Sequence, residues 1–97
     1  MERDVAIARL RAHEAELRRL GVEHLYIFGS TARGEATAAS DVDLYFDHPE
    51  GSLGLYGLMD VQEAARRILG CRADVMTRRG LRRDMRARIE ASALPVF

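Results

Sequence analysis

The segment Asp41-Val42-Asp43-Leu44-Tyr45-Phe46-Asp47 alternates in a way that dictates its conformation. On an extended chain, Val42, Leu44 and Phe46 point one way, and Asp41, Asp43, Tyr45 and Asp47 point the other. The segment is therefore expected to be a strand with an apolar core face and an acidic opposite face. Asp41 and Asp43 lie about 7 Å apart along such a strand. Carboxylates this close repel each other unless a positive charge sits between them. A chain containing this strand has to build a sheet, cover one face of it and bring a cation to the other.

The flanking sequence supplies the rest of such a fold. Between Asp4 and Leu20, the residues Val5, Ala8, Leu10, Ala12, Ala15, Leu17 and Leu20 recur near helical spacing and Gly21 follows as a stop, which predicts a first helix. HLYIF at 24–28 is apolar on both faces and predicts a central strand covered on two sides. The small, polar run from Ser30 to Ser40, with Gly34 inside it, reads as a turn containing at most one short helical turn.

His48-Pro49-Glu50-Gly51 breaks the acidic strand. Leu58, Val61, Ala65, Ile68 and Leu69 then form the buried stripe of a helix over 55–69, stopped by Gly70. ADVMT at 73–77 is a third strand, on which Asp74 shares a face with Met76. A last helix over about 80–91 is expected to bury Leu81, Met85 and Ile89 before ALPVF closes the chain as an edge strand or tail. The expected fold class is α/β (α+β), a small mixed β-sheet flanked by helices, in a single domain over 1–97.

Composition narrows the function. With 47% hydrophobic and 31% charged residues the chain is an ordinary globular one. No apolar run approaches the roughly 18 residues of a membrane span, and the charged N-terminus is unlike a signal peptide, so a cytoplasmic location is expected. Cys71 is the single cysteine, which excludes an internal disulfide and a cysteine metal cage; it reads as a buried small hydrophobe. Residues 1–65 hold 6 Arg against 12 acids and residues 66–97 hold 9 Arg against 3 acids, with no lysine anywhere. The resulting net charge of zero argues against a general nucleic-acid binder, while the polarity suggests a charged partner.

The acidic face carries the chemistry. Asp41 and Asp43, joined by Asp74 from a neighbouring strand, would make an oxygen-only cage that suits Mg²⁺ or Mn²⁺ rather than zinc. Two such ions about 4 Å apart serve in-line phosphoryl or nucleotidyl transfer. Upstream, Gly29 lets a phosphate approach the backbone, and successive N–H groups with the Ser30 hydroxyl can hold it. Arg33 is near enough to add a bidentate phosphate contact.

These residues also carry a resemblance. GSTARGEATAASDVD fits Gly-Ser, ten residues, Asp-any-Asp, and so resembles the signature of the polymerase-beta-type nucleotidyltransferases. The short length, the Arg33-Gly34 pair, Ser40 before the acids and the ADVMT strand are most similar to the minimal nucleotidyltransferases, the MNT proteins. The resemblance implies that Gly29 and Ser30 hold the nucleotide triphosphate with support from Arg33. It further implies that Asp41 and Asp43 bind both metal ions, and that Asp74 completes the site of the ion that activates the acceptor hydroxyl. Many MNT proteins act as antitoxins of a HEPN-type partner, some by transferring AMP from ATP to a tyrosine of that toxin. The implied donor is ATP, the implied cofactor a pair of Mg²⁺ ions, and the acceptor has to come from another molecule or another copy.

Other readings stand beside this one. A binding module could keep the fold and neutralise its partner by covering it, and a transferase for a small molecule or RNA end is a third reading. Arg79, Arg82, Arg83 and Arg86 at helical spacing read as a solvated face or a contact for an acidic partner. His13, His24 and His48 show no ligand spacing, and Met59, Met76 and Met85 read as core filling. Tyr45 could stack on a nucleotide base, with packing against the sheet favoured.

Overall fold

The computed structural model describes residues 1–97. Its elements are α1 (Arg3–Ala12), α2 (Glu14–Arg19), β1 (His24–Phe28), α3 (Gly29–Ala32), β2 (Val42–Asp47), α4 (Leu55–Leu69), β3 (Ala73–Thr77), a 3-10 turn (Arg78–Gly80), α5 (Arg86–Ser92) and β4 (Leu94–Pro95). The four strands form one sheet in the order β3-β2-β1-β4. β1 runs antiparallel to both β2 and β4, whereas β2 and β3 are parallel and joined through α4, as parallel neighbours require. This is the small mixed sheet flanked by helices that the pattern predicted, and no helix is long and apolar enough to cross a membrane.

Period-two alternation decides which residues form the core. Leu25 and Ile27 on β1, Val42, Leu44 and Phe46 on β2, and Ala73 and Val75 on β3 are buried on one face. They meet Ala6 and Leu10 of α1 and Val61, Ala65, Ile68 and Leu69 of α4 in a single cluster. Gly70 ends α4 in the left-handed region at φ 72°, and Arg9 Nη1 donates to the freed Leu69 carbonyl at 2.7 Å. The tail is an edge strand as expected: Val96 is buried, and its N–H donates to Leu25 O at 2.7 Å.

Several expectations are corrected. The first helix is two helices, because His13 Nδ1 lies 2.9 Å from the Arg9 carbonyl that its own N–H would take in a continuous helix, and that N–H turns to Leu10 O. Its buried residues are Ala6, Leu10 and Leu17, while Val5 is exposed. β1 is covered on one face only. Tyr26 and Phe28 stay half-buried on the open face, where Tyr26 stacks on Tyr45 with ring centroids 4.8 Å apart. Tyr45 itself is fully buried between aromatic neighbours, which bears out packing.

The last helix starts only at Arg86. Thr77 Oγ1 accepts from the Gly80 N–H at 3.1 Å and closes the 3-10 turn, after which Leu81 is extended and buried. Arg79, Arg82 and Arg83 therefore precede α5 and share no helix face with Arg86. Met85 and Met59 are exposed rather than core filling, Met59 on the side of α4 turned from the core. Cys71 is half-buried against the core instead of enclosed.

Candidate functional site

The sheet order brings the end of β1 beside the starts of β2 and β3. Phe28 pairs with Asp43, and Asp43 pairs with Asp74, so all three side chains share the open face in one row. Asp41 lies two residues upstream of Asp43 and, by alternation, on the same face. Gly29 follows Phe28 directly and has φ 75°. A Cβ at Gly29 would collide with Asp43 Oδ2 and stand 3.2 Å from its Cγ. Glycine is required there twice over, for the backbone angle and for the room that the carboxylate occupies.

Gly29 opens the short helical turn α3, and Arg33 N–H to Gly29 O at 3.2 Å and Glu35 N–H to Ser30 O at 2.9 Å close it. Ser30 is half-buried beside this corner. Ser40 is a loop residue whose Oγ accepts from Thr37 N–H at 3.0 Å, holding the chain as it enters β2. Arg33 is exposed, with Nε 3.1 Å from Glu35, and its charge still reaches Asp43.

The carboxylates differ in their circumstances. Burial first, then the fields of Asp74 and Asp41, push the Asp43 carboxyl above its ordinary range, with Arg33 a partial offset. Asp41 Oδ1 is 3.0 Å from Arg72 Nε, yet that buried oxygen has no hydrogen bond of proper alignment. Asp74 is exposed at the rim. The three are adjacent, but no three of the chain's His, Cys, Asp or Glu side chains stand in a closed ligand set, since Asp41 is turned onto Arg72.

The donors nonetheless fit a hard divalent cation. They are all oxygens, Asp41 Oδ1 is a buried acceptor without a hydrogen-bond donor, and Asp43 is a carboxylate whose charge is resisted by its surroundings. A cation between them would relieve both conditions. Asp41, Asp43 and Asp74 are the residues able to hold it.

A slot that the sequence did not announce opens beside Asp43, with a volume of about 220 Å³. Phe28 and Met76 line it from the sheet, Met85 and Ile89 from the C-terminal segment, and Asp43 and Arg82 are its charged members. The one signal available was that Met76 shares its strand face with Asp74. At the far end of the same face, Arg78 donates to Asp47 Oδ1 and Oδ2 at 2.7 and 2.9 Å and to Glu90 at 2.6 Å. Its guanidinium lies 5.1 Å from the ring centroids of both Tyr26 and Tyr45 and pins α5 to the sheet.

Comparison with known proteins agrees with this geometry. The family described as nucleotidyltransferase domain matches residues 10–96. The protein adenylyltransferase MntA of Thermococcus cleftensis is 39% identical over 74 residues, covering 75% of this chain and 74% of that one. A solved structure provisionally named a minimal nucleotidyltransferase superposes with a TM-score of 0.84 at 34% identity, over 98% of this chain and 96% of the other. A toxin-antitoxin crystal structure with AMP-PNP shares the fold, with a TM-score of 0.71 at 16% identity over 90% of this chain and 72% of its own. With a matching family over nearly its whole length and the Gly29–Asp43–Asp74 corner intact, this chain belongs to the nucleotidyltransferase-domain family, in its minimal class.

Proposed function

We propose that the protein is a Mg²⁺-dependent protein adenylyltransferase that transfers AMP from ATP to a tyrosine hydroxyl of a HEPN-type toxin, acting as its antitoxin. The observation that carries the reading is the contact between the Gly29 backbone and the Asp43 carboxylate, which places a phosphate-approachable turn against the cation-holding acids. Further support comes from the Thermococcus cleftensis relative, named a protein adenylyltransferase, and from the toxin-antitoxin neighbour that carries AMP-PNP.

In this reading the Gly29-Ser30 backbone and the Ser30 hydroxyl bind the terminal phosphates, and Arg33 leaves Glu35 to join them. Asp41, Asp43 and Asp74 would hold two Mg²⁺ ions, with Mn²⁺ able to replace them. When bound, these supply neutralisation of the phosphates and activation of the attacking hydroxyl. The acceptor oxygen forms a bond to the α-phosphorus as the bond to the β-phosphate oxygen breaks and pyrophosphate leaves. Asp74, exposed at the rim beside Asp43, would complete the site of the ion that activates the acceptor hydroxyl and would take its proton. Catalysis is then positioning and charge neutralisation.

One observation favours a second reading: the Asp41–Arg72 contact leaves the acids short of a closed ligand set. A module that covers its partner without chemistry would tolerate that. Incubation with Mg²⁺ and each labelled nucleoside triphosphate, with and without the protein encoded beside it, followed by intact mass of both chains, separates the two. The enzyme reading expects the partner to gain whole nucleotide units, and to gain none with Asp43→Ala. A stable complex with unchanged masses would establish the covering module instead.

A further inference from the structure

Two exposed features of the chain have no part in the site described above. One is Tyr56, in the first turn of α4; the other is the run of arginines between β3 and α5. We propose that they meet between copies: the site of one copy transfers AMP to the Tyr56 hydroxyl of a second copy, so that the chain is also its own substrate. This deepens the adenylyltransferase reading above and rests on it.

The nucleophile is accessible. Of the three tyrosines, Tyr45 is buried and Tyr26 is stacked on it, whereas Tyr56 is 81% exposed. Gly54 and Gly57 lie on either side of it in the chain, and a Cβ at Gly54 would meet nothing within 4 Å, so the phenol has open space around it. Leu55 and Met59 beside it are exposed too, an apolar surface that a second protein can cover.

The fold keeps Tyr56 away from its own site. Gln62 Nε2 donates to Val75 O at 3.0 Å and Arg66 Nε to Ala73 O at 3.1 Å, so α4 runs antiparallel to β3 and its first turn lies toward the Thr77 end. Asp43 and Asp74 pair near the other end and face the open side of the sheet, while α4 covers the core side. A second copy therefore has to supply the carboxylates.

Charge matches the two surfaces. Residues 49–65 hold Glu50, Asp60 and Glu63 and no arginine. All three acids are exposed and none is in an ion pair. Arg79, Arg83 and Arg88 are likewise exposed and unpaired, and Arg82 of the same run lines the slot beside Asp43. The surface around Tyr56 is thus acidic and the approach to the site is basic, each with charges left unanswered inside its own chain. Arginine forks suit carboxylates, and patches of opposite sign at different places draw copies together head to tail. In the step itself the Tyr56 oxygen bonds to the α-phosphorus, the bond to the β-phosphate oxygen breaks, pyrophosphate leaves and the phenolic proton passes to Asp74.

Two versions of the full chain test this. Asp43→Asn keeps Tyr56 and serves as substrate; Tyr56→Phe keeps the site and serves as enzyme. Mixed with Mg²⁺ and ATP and read by intact and then peptide mass, the Asp43→Asn chain should gain an AMP unit at Tyr56, while neither version gains one alone over the same time. Raising the salt should slow the transfer about threefold or more. Glu63→Arg in the substrate chain should slow it by a similar factor at low salt, and Arg83→Glu in the enzyme chain should restore it. An AMP unit on residues other than Tyr56, a wild-type rate per chain that does not rise with concentration, or transfer indifferent to both salt and Glu63→Arg would each overturn the inference. If the protein encoded beside this one is modified and the Asp43→Asn chain is not, the inference falls and the proposed function stands. If the wild type modifies neither, both fall.

Discussion

Asp43 and Asp47 stand four residues apart on the same face of β2, and their surroundings treat them in opposite ways. Asp47 is gripped by the Arg78 fork, whose hydrogen bonds hold its carboxyl below the ordinary range. Asp43 is desolvated and faces Asp74 and Asp41, so its carboxyl is pushed above that range. The Asp47 end has its charges answered by protein and ties α5 to the sheet. The Asp43 end leaves its charges for something from outside. A fold this small stabilises itself at one end of an open face and keeps the other end electrostatically unsatisfied for function.

Exchanging the two aspartates in turn should break the comparison most clearly. Asp43→Asn should lower nucleotide transfer by at least about 10²–10³-fold, whereas Asp47→Asn should leave transfer within a few-fold. Steady-state assay of both variants against one partner checks this. If both lose activity equally, the two ends are not separate.

Gly29→Ala should damage both properties together. Its φ of 75° and the occupied space over it imply a cost of about 1–2 kcal/mol, visible as a lower Tm, together with transfer reduced about tenfold or more as the Asp43 carboxylate is displaced. An alanine variant of normal Tm and activity would show that the corner is looser than described.

Stability should answer pH with opposite signs. The Asp47 contribution, about 2 kcal/mol for charge-assisted bonds, is present above the ordinary aspartate value of about 3.9. It is lost as pH falls through its depressed folded value. Asp43 works in reverse: metal-free protein is penalised above its raised value, and the penalty is gone once pH falls below about 3.9. Melting curves across acid pH should therefore show Asp47→Asn losing stability at neutral pH and Asp43→Asn gaining a few degrees there, with the gain fading in acid. The smallest effect is expected from Arg72→Ala. Arg72 is mostly exposed and its contact with Asp41 lacks hydrogen-bond alignment, so chemical denaturation should shift by less than about 0.5 kcal/mol.

Much of this was legible because it is local. The alternation over 41–47, the ADVMT strand and the α4 stripe with its Gly70 stop are short-period patterns, and the structure reproduces each. What stayed hidden depends on contacts between distant segments or on single side chains. Nothing periodic marks Arg78 among its neighbouring arginines as the clamp on Asp47, 31 positions away. Tyr26 and Phe28 looked like core because aromatic stacking uses the same residues as burial. The split at His13 comes from one side chain competing for one carbonyl. Met85 looked like core filling because its helix was expected to begin near Gly80; starting at Arg86, the helix leaves it as a wall of the slot. Asp41 could not be seen to meet Arg72 until the crossover through α4 laid β3 beside β2.

The most direct test of the central claim is a melting comparison at neutral pH between wild type and Asp43→Asn, without metal and then with Mg²⁺ plus a non-hydrolysable ATP analogue. The two proteins should change order. Metal-free, Asp43→Asn melts higher because a resisted charge is gone. Loaded at a hundred times Kd, the wild type gains about 2.7 kcal/mol and overtakes it, while the variant gains little. Equal gains in both proteins, or none in either, would contradict the claim that Asp43 is kept unsatisfied to receive a metal-bound nucleotide.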